Sequence, residues 1–357
     1  MRSLAMPPTN PHLNRRSFIK ASAAAAVAAP AAGCTEYADR PTAEAVPGTP
    51  IPTNSPFSGQ STAMQVTAGL DLRGRNILIT GCNSGIGYET MRVLAARGAH
   101  VLGTGRTLEK AQAAVEEVRF HYSGFKVTPL ECELTDFDNV AACAEQVKSL
   151  GIPLDGMILN AGIMALPELE QVDVNGELLE RQFVVNHLGH FVLANQLLEQ
   201  VKASDAGRVV SVSSAAAYMW APEQGIWFDN LSGERDYEWQ WCYGQSKLAN
   251  ALFARELARR LQGSNATANS VHPGGIATNL KRHMPDYQQW LVRTFGGMFM
   301  KTMEQGAATS CYVATSPDLN GVTGYFFADS NPSYPAGFIE DDNLARELWR
   351  VSEELVG

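Results

Sequence analysis

The chain has 357 residues, 45% hydrophobic and 18% charged, which excludes a disordered or fibrous protein and leaves ample length for a large core. A formal charge of −9 argues against a nucleic-acid-binding surface. The six cysteines, at 34, 82, 132, 143, 242 and 311, form no Cys-x-x-Cys pair, so their spacing describes neither a disulfide framework nor a metal site.

Residues 1–34 carry Arg2, Arg15, Arg16 and Lys20 and no acid. Asn14-Arg15-Arg16-Ser17-Phe18-Ile19-Lys20 resembles a twin-arginine export motif. The alanine-rich stretch 21–32 that follows is shorter than the ~20 apolar residues a bilayer span needs. A basic start, a modest apolar stretch and small residues make the pattern of a cleaved signal, which implies a periplasmic or cell-envelope location. Ala31-Ala32-Gly33-Cys34 also resembles a lipoprotein cleavage site, with Cys34 as the lipidated residue and its only expected link to a membrane. Ala31 stands where leucine is usual, and the alternative is plain cleavage near Ala31. Residues 35–66 contain Pro41, Pro47, Pro50, Pro52 and Pro56 and read as a disordered linker.

The folded part spans 67–357, its first element starting after Leu70. Strands are predicted at 76–80, 100–103, 126–130, 156–159, 208–212, 267–271 and 324–327. Helices are predicted at 86–96, 108–120, 137–150, 177–201, 245–261 and 341–355. Strands separated by helices of ten or more residues imply parallel crossovers. The fold class is therefore α/β, a single doubly wound (Rossmann) parallel sheet of about seven strands with helices on both faces.

Thr80-Gly81-Cys82-Asn83-Ser84-Gly85-Ile86-Gly87 lies where the first strand gives way to the first helix. Glycines there permit a tight turn and a close approach of backbone amides to a pyrophosphate, at a helix N-terminus that favours anions. The spacing is G-x-x-x-G-x-G rather than G-x-G-x-x-G. Gly105-Arg106 ends the second strand. An acid there would bind the ribose of NAD, whereas arginine suits the 2′-phosphate of NADP, so NADP is favoured over NAD. The alternative is a solvated surface arginine.

Tyr243 and Lys247 are four residues apart and share a helix face. An ammonium near a phenol lowers a pKa that is otherwise about 10, which would let Tyr243 exchange a proton with an alcohol or carbonyl oxygen. Such a pair is often only an exposed helix pair. Here Ser213-Ser214 ends the fifth strand, Asn160-Ala161-Gly162 the fourth and His272-Pro273-Gly274-Gly275 the sixth, with Asn186 in the helix after the fourth. These are carboxyl ends of strands, the edge where open α/β sheets bind ligands.

The motifs TGCNSGIG, LNAG, VVNHLGHF, VVSVSS, YGQSKLAN and VHPGGIATNL resemble the short-chain dehydrogenase/reductase family, especially its retinol-dehydrogenase-like branch, over nearly all of 70–357. The resemblance implies a catalytic tetrad of Asn186, Ser214, Tyr243 and Lys247. By it, Ser214 positions the carbonyl, Tyr243 protonates it, Lys247 binds the nicotinamide ribose and tunes Tyr243, and Asn186 holds a relay water. It further implies a cofactor site of Gly81, Asn83, Ser84, Gly85, Ile86, Gly87, Arg106, Glu133, Leu134, Asn160, Ala161, Gly162, Tyr243, Lys247, Pro273, Gly274, Ile276 and Thr278. Two departures are Cys82 for the commoner alanine, and Glu133-Leu134 for the usual Asp-Leu beside the adenine.

The function implied is NADP(H)-dependent interconversion of an alcohol and a carbonyl. The alternatives are an exported NADP-binding sensor or scaffold without turnover, and C=C reduction on the same tetrad. Trp220, Trp227, Trp239 and Trp241 precede or adjoin Tyr243, and 284–300 adds Tyr287, Trp290, Leu291, Phe295, Met298 and Phe299. Apolar walls there would suit a lipophilic small molecule, while loop packing or a homo-oligomer contact would use the same residues. His187 and His190 read as helix packing or surface residues rather than metal ligands.

Overall fold

Short apolar runs closed by glycine or polar turns become strands, and the longer amphipathic stretches between them become helices. The structure is a computed structural model that describes residues 45–121, 124–276 and 300–357. In chain order they form α1 (Ala63–Val66), β1 (Asn76–Ile79), α2 (Gly85–Ala96), β2 (His100–Gly105), α3 (Leu108–His121), β3 (Val127–Glu131), α4 (Phe137–Ser149) and β4 (Gly156–Leu159). A hairpin follows, β5 (Gln171–Val174) and β6 (Glu177–Glu180), then α5 (Arg181–Phe183), a π-helical turn over Val184–Leu188 and α6 (Gly189–Lys202). The chain continues with β7 (Arg208–Val212), α7 (Ala216–Met219), α8 (Trp239–Arg260), β8 (Thr267–His272), α9 (Met303–Gly306), α10 (Ala308–Thr315), β9 (Phe326–Ala328), β10 (Asn331–Pro332) and α11 (Asp342–Val356).

The main sheet has eight strands in the order β10-β9-β8-β7-β4-β1-β2-β3. Every pairing from β3 to β9 is parallel, and β10 adds a short antiparallel edge. Alternate strand residues feed two cores. Ile77, Ile79 and Ile158 pack with Met91, Leu94 and Val115 on one face. Leu78, Met157 and Leu159 pack with Val140, Leu193, Leu197 and Leu257 on the other. Burial on both faces explains why these strands read as unbroken apolar runs. The strand order reverses between β1 and β4, so their carboxyl ends open the crevice in which doubly wound sheets take ligands.

Two expectations need correction. Residues 45–66, the described part of the expected disordered linker, pack onto the domain: Val46 and Ala63 are fully buried, and Phe57 meets Tyr312 edge-on at 5.7 Å. Asn331 accepts from the Ser55 N–H at 2.8 Å and donates to the Phe57 carbonyl at 2.9 Å. The prolines keep 45–61 without a regular element but do not prevent docking, and α1 follows the last of them. Likewise, 177–201 is not one helix. Asn175 and Gly176 both have positive φ, 53° and 90°, which makes the two-residue turn of a β-hairpin and commits 177–180 to β6.

Candidate active site

The glycine turn follows from close contacts. Gly81 and Gly85 have φ of 72° and 65°, a region costly for other residues. A Cβ at Gly87 would lie 2.3 Å from the Gly81 carbonyl oxygen and 2.5 Å from Asn160 Nδ2. Backbone therefore lines the crevice at its narrowest. Ser84 N-caps α2 in position but gives no side-chain hydrogen bond, so the helix presents its N–H groups without a capping hydroxyl. These features fit the pyrophosphate of a dinucleotide. Cys82 is buried, donates to the Ile79 carbonyl, and its thiol is held protonated by that burial.

Beside the turn, Thr80 Oγ1 accepts the N–H groups of Asn160 and Ala161, each at 2.9 Å. Asn160 Nδ2 in turn donates to the Thr80 carbonyl at 2.8 Å. At the end of β2, Arg106 is half exposed and pairs loosely with Glu133, N to O 3.8 Å. Glu133 also accepts from the Thr135 N–H and hydroxyl, and its own N–H donates to Asn139. Leu134 is buried against Gly189, where a Cβ would come within 2.4 Å of the Leu134 carbonyl oxygen.

The four residues expected as a tetrad converge at the carboxyl ends of β4 and β7. Asn186 sits in the π-helical turn, a rare geometry that is frequent at functional sites. Its carboxamide is fully used: Oδ1 accepts the Ile163 N–H at 2.8 Å, and Nδ2 donates to the Ile163 carbonyl at 3.0 Å and to Ser246 Oγ at 2.9 Å. Ser246 passes the contact on to the Tyr243 carbonyl at 2.8 Å. The two serines after β7 differ in use. Ser213 donates to the Lys247 carbonyl at 2.6 Å, whereas the half-buried Ser214 hydroxyl accepts the Ala216 N–H at 3.2 Å and acts on the Tyr243 phenol in the sense that lowers its pKa.

Tyr243 and Lys247 lie within α8, which is buried around its whole girth from Tyr243 to Leu252. Gly244 is required there because a Cβ would fall 2.4 Å from the Trp220 carbonyl carbon. Burial pushes the phenol up to about 12, opposed only by Ser214, so the lowering expected from Lys247 does not appear. Burial also brings Lys247 down to about 8. Its Nζ donates to the Val212 carbonyl at 3.1 Å and lies near Gly162, 3.2 Å from where a Cβ would stand.

At the end of β8, His272 Nδ1 accepts from the Ala215 N–H at 3.1 Å and the Gly274 N–H at 3.4 Å, joining the loop after Ser214 to the Pro273-Gly274 loop. Ile276 is buried and bridges in parallel to Lys301, whose N–H donates to the Gly275 carbonyl at 2.8 Å. Lys301 Nζ pairs with Asp329 at 2.5 Å. Thr278 lies outside the described residues, as do Tyr287, Trp290, Leu291, Phe295, Met298 and Phe299. Of the tryptophans, Trp220 meets Tyr243 at 6.3 Å between ring centres and Trp239 edge-on at 5.7 Å. Thr80, Ser246 and His272 stood in the quoted motifs without a role and Lys301 was not singled out, since their roles arise from contacts between distant segments. Among the described residues no His, Cys, Asp and Glu cluster could hold a metal ion.

Comparison with known proteins bears on this geometry. The family model described as short chain dehydrogenase matches residues 75–227. Short-chain dehydrogenase TIC 32 B, chloroplastic, of Brassica napus is 40% identical over 309 residues, covering 85% of this chain and 95% of that protein. Retinol dehydrogenase 14 of Homo sapiens is 38% identical over 301 residues, covering 80% and 87%. A crystal structure of an uncharacterised protein from Mycobacterium Paratuberculosis superposes with a TM-score of 0.64 at 32% identity, covering 82% and 96%.

Proposed function

The chain belongs to the short-chain dehydrogenase family, and on that premise we propose that it interconverts a lipophilic alcohol and its carbonyl with NADP(H), Tyr243 acting as acid and base. The observation that carries this reading is the convergence of Tyr243, Lys247, Ser214 and Asn186 at the carboxyl edge of a doubly wound sheet, with Lys247 Nζ 5.8 Å from the Tyr243 ring centre and Asn186 tied through Ser246 to the Tyr243 backbone.

The cofactor, when bound, supplies or accepts the hydride. Gly81, Asn83, Ser84, Gly85, Ile86 and Gly87 would hold its pyrophosphate, with Asn160, Ala161 and Gly162 along its length and Pro273, Gly274, Ile276 and Thr278 at the nicotinamide end. Glu133 and Leu134 would flank the adenine. Arg106 supports NADP, because its exposed fork carries only a long ion pair that a 2′-phosphate would outbid. In reduction, the hydroxyls of Ser214 and Tyr243 would donate to the carbonyl oxygen, and Tyr243 would pass its proton to it. Lys247 would then face the phenolate, which is costly in this dry setting without a cation. Asn186 would fix Ile163 and Ser246 around the pair. In oxidation Tyr243 would take the proton back.

A lipophilic substrate is supported by Trp220, which lies against Tyr243 and is itself packed on Trp239, and by the name of the relative retinol dehydrogenase 14. The test is fluorescence titration with NADPH and NADH, followed by turnover on a panel of lipophilic aldehydes, ketones and alcohols. Absence of cofactor binding, or full turnover by Tyr243→Phe, would sink the reading. Cofactor binding with no turnover on the panel would favour the sensor alternative. For residues 1–34 we propose twin-arginine export. Changing Arg15→Lys with Arg16→Lys should retain the protein in the cytoplasm, and unchanged export would rule this out.

A further inference from the structure

His190, expected from sequence to be a packing or surface residue, is fully buried and links Thr80, beside the glycine turn, to the π-helical turn that carries Asn186. Its Nε2 lies 2.8 Å from Thr80 Oγ1 and its Nδ1 lies 3.0 Å from the Asn186 carbonyl oxygen. The protons on this bridge follow from elimination. A carbonyl oxygen only accepts, so Nδ1 carries the hydrogen. Thr80 Oγ1 already accepts from the Asn160 and Ala161 N–H groups, which fills both of its lone pairs, so its own hydrogen goes to Nε2.

A single buried chain results. It runs from the Asn160 and Ala161 amides through Thr80, His190, Asn186 and Ser246 to the backbone of Tyr243. Each donor in it meets one acceptor, an arrangement that rigidifies because any break strands a buried polar group. Burial and the nearby Lys247 bring the imidazole down to about 4, so it stays neutral and keeps this pattern at ordinary pH.

We propose that His190 is a positioning residue that locks the cofactor crevice to the Tyr243 helix, holding Thr80 with one ring nitrogen and the Asn186 carbonyl with the other. The proposal rests on the NADP(H) oxidoreductase reading above. Its two halves separate by substitution. Asn at 190 can keep the donor to the Asn186 carbonyl, because Asn195 in the same helix already donates to the Phe191 carbonyl at 2.9 Å. Gln can reach Thr80 but loses the Asn186 contact. Leu loses both.

The experiment measures NADPH Kd, kcat and KM for wild type, His190→Asn, His190→Gln and His190→Leu. His190→Asn should weaken NADPH binding about tenfold, with kcat changed by less than about threefold, the scale of one buried hydrogen bond. His190→Gln should lower kcat about tenfold and leave Kd within about threefold. His190→Leu should do both. A His190→Asn or His190→Gln variant that moves Kd and kcat together, or any of the three that moves neither, overturns the positioning role. A double-mutant cycle of His190→Leu with Thr80→Val in urea unfolding tests the hydrogen-bonded chain without activity. Coupling of about tenfold in the unfolding constant supports it, and additivity overturns it. Wild-type protein that binds no NADPH would instead sink the oxidoreductase reading, and the positioning role with it, whatever the cycle shows.

Discussion

Lys247 Nζ lies 5.8 Å from the centre of the Tyr243 ring yet gives its hydrogen bond to the Val212 carbonyl at 3.1 Å. The lysine thus faces the phenol through space and is anchored by backbone. Held down to about 8 by burial, it is an ammonium at neutral pH and an amine above about 8. Since burial holds the phenol up at about 12, a phenolate that forms on it during turnover is expected to need a cation beside it, and Lys247 is the cation placed there. For carbonyl reduction, kcat/KM is expected to be level through neutrality and to fall as pH rises through about 8. Lys247→Arg should move the fall to higher pH if it folds around the larger head. A pH–rate profile measures both, and a flat wild-type profile across that region contradicts the role given to Lys247.

The same burial makes Lys247 a stability liability. Its folded pKa of about 8 is below the ordinary 10.5. Between those values the unfolded chain binds a proton that the folded chain does not, so stability contributed by this group rises with pH across that window. At pH 7 the buried ammonium therefore destabilises the fold. Lys247→Met should raise the urea midpoint at pH 7 by an equivalent of about 1–3 kcal/mol while abolishing turnover. A lower midpoint would mean that the bond to the Val212 carbonyl outweighs the desolvation.

How much of this was legible depended on the range of the signal. Ile77-Leu78-Ile79 declares a buried strand, and Tyr243 and Lys247 declare a shared helix face, because both signals are local. The sheet order and strand ends then bring Ser214, Asn186 and the glycine turn to the same edge. The hairpin at 171–180 was carried by Asn175-Gly176, a turn signal outweighed by the apolar spacing of Leu178, Leu179 and Phe183. Docking of 45–62 was invisible because Ala45, Phe57 and Ser55 are held by Tyr325, Tyr312 and Asn331, more than 250 residues away. His190 carried no signal either, since its partner Thr80 is 110 residues distant.

The docked arm should be measurable in stability. Val46 is fully buried, and Ala45 donates its N–H to the Tyr325 hydroxyl at 3.1 Å. Val46→Ala should cost about 1–2 kcal/mol from the lost methyl groups. Deleting residues 1–61 removes in addition the Phe57–Tyr312 contact and the Ser55 and Phe57 bonds to Asn331. That deletion should cost about 2–4 kcal/mol and lower the melting temperature by several degrees. Calorimetry on the deleted form checks this, and an unchanged transition would mean that the arm contributes nothing to the fold.

Acid sensitivity follows from buried titratable groups of opposite sign. His187 is brought down to about 3, and His190 and His272 to about 4, by burial. Each stays neutral in the fold while the unfolded form binds a proton below 6.5, so each loses stability as pH falls from 6.5 to its folded pKa. Glu180 acts in the opposite sense. Burial raises its carboxyl from 4.5 to about 7, so it loses stability as pH rises between those values. Three histidines outweigh one carboxyl, and the fold should weaken between pH 6.5 and 4.5. His187→Gln should flatten that slope by about 1.4 kcal/mol per pH unit, read from urea unfolding across the range. An unchanged slope would show that His187 does not resist protonation in the fold.

On the proposed NADP(H) reading, cofactor choice is expected to turn on Arg106 and Glu133. At 3.8 Å and half exposed, their pair is worth under about 1 kcal/mol. It still places a carboxylate against the guanidinium that would receive a 2′-phosphate. Glu133→Gln should therefore tighten NADPH binding several-fold and leave NADH nearly unchanged, because only the former brings a charge to Arg106. Arg106→Asp should weaken NADPH by about 10- to 100-fold through loss of attraction and new repulsion, and bring NADH level with it or ahead. Loss of both cofactors in equal measure would mean that Arg106 supports the local fold rather than reading the phosphate. The same titration at raised salt provides an internal check: an exposed Arg–phosphate contact weakens as salt rises, whereas NADH affinity should change little.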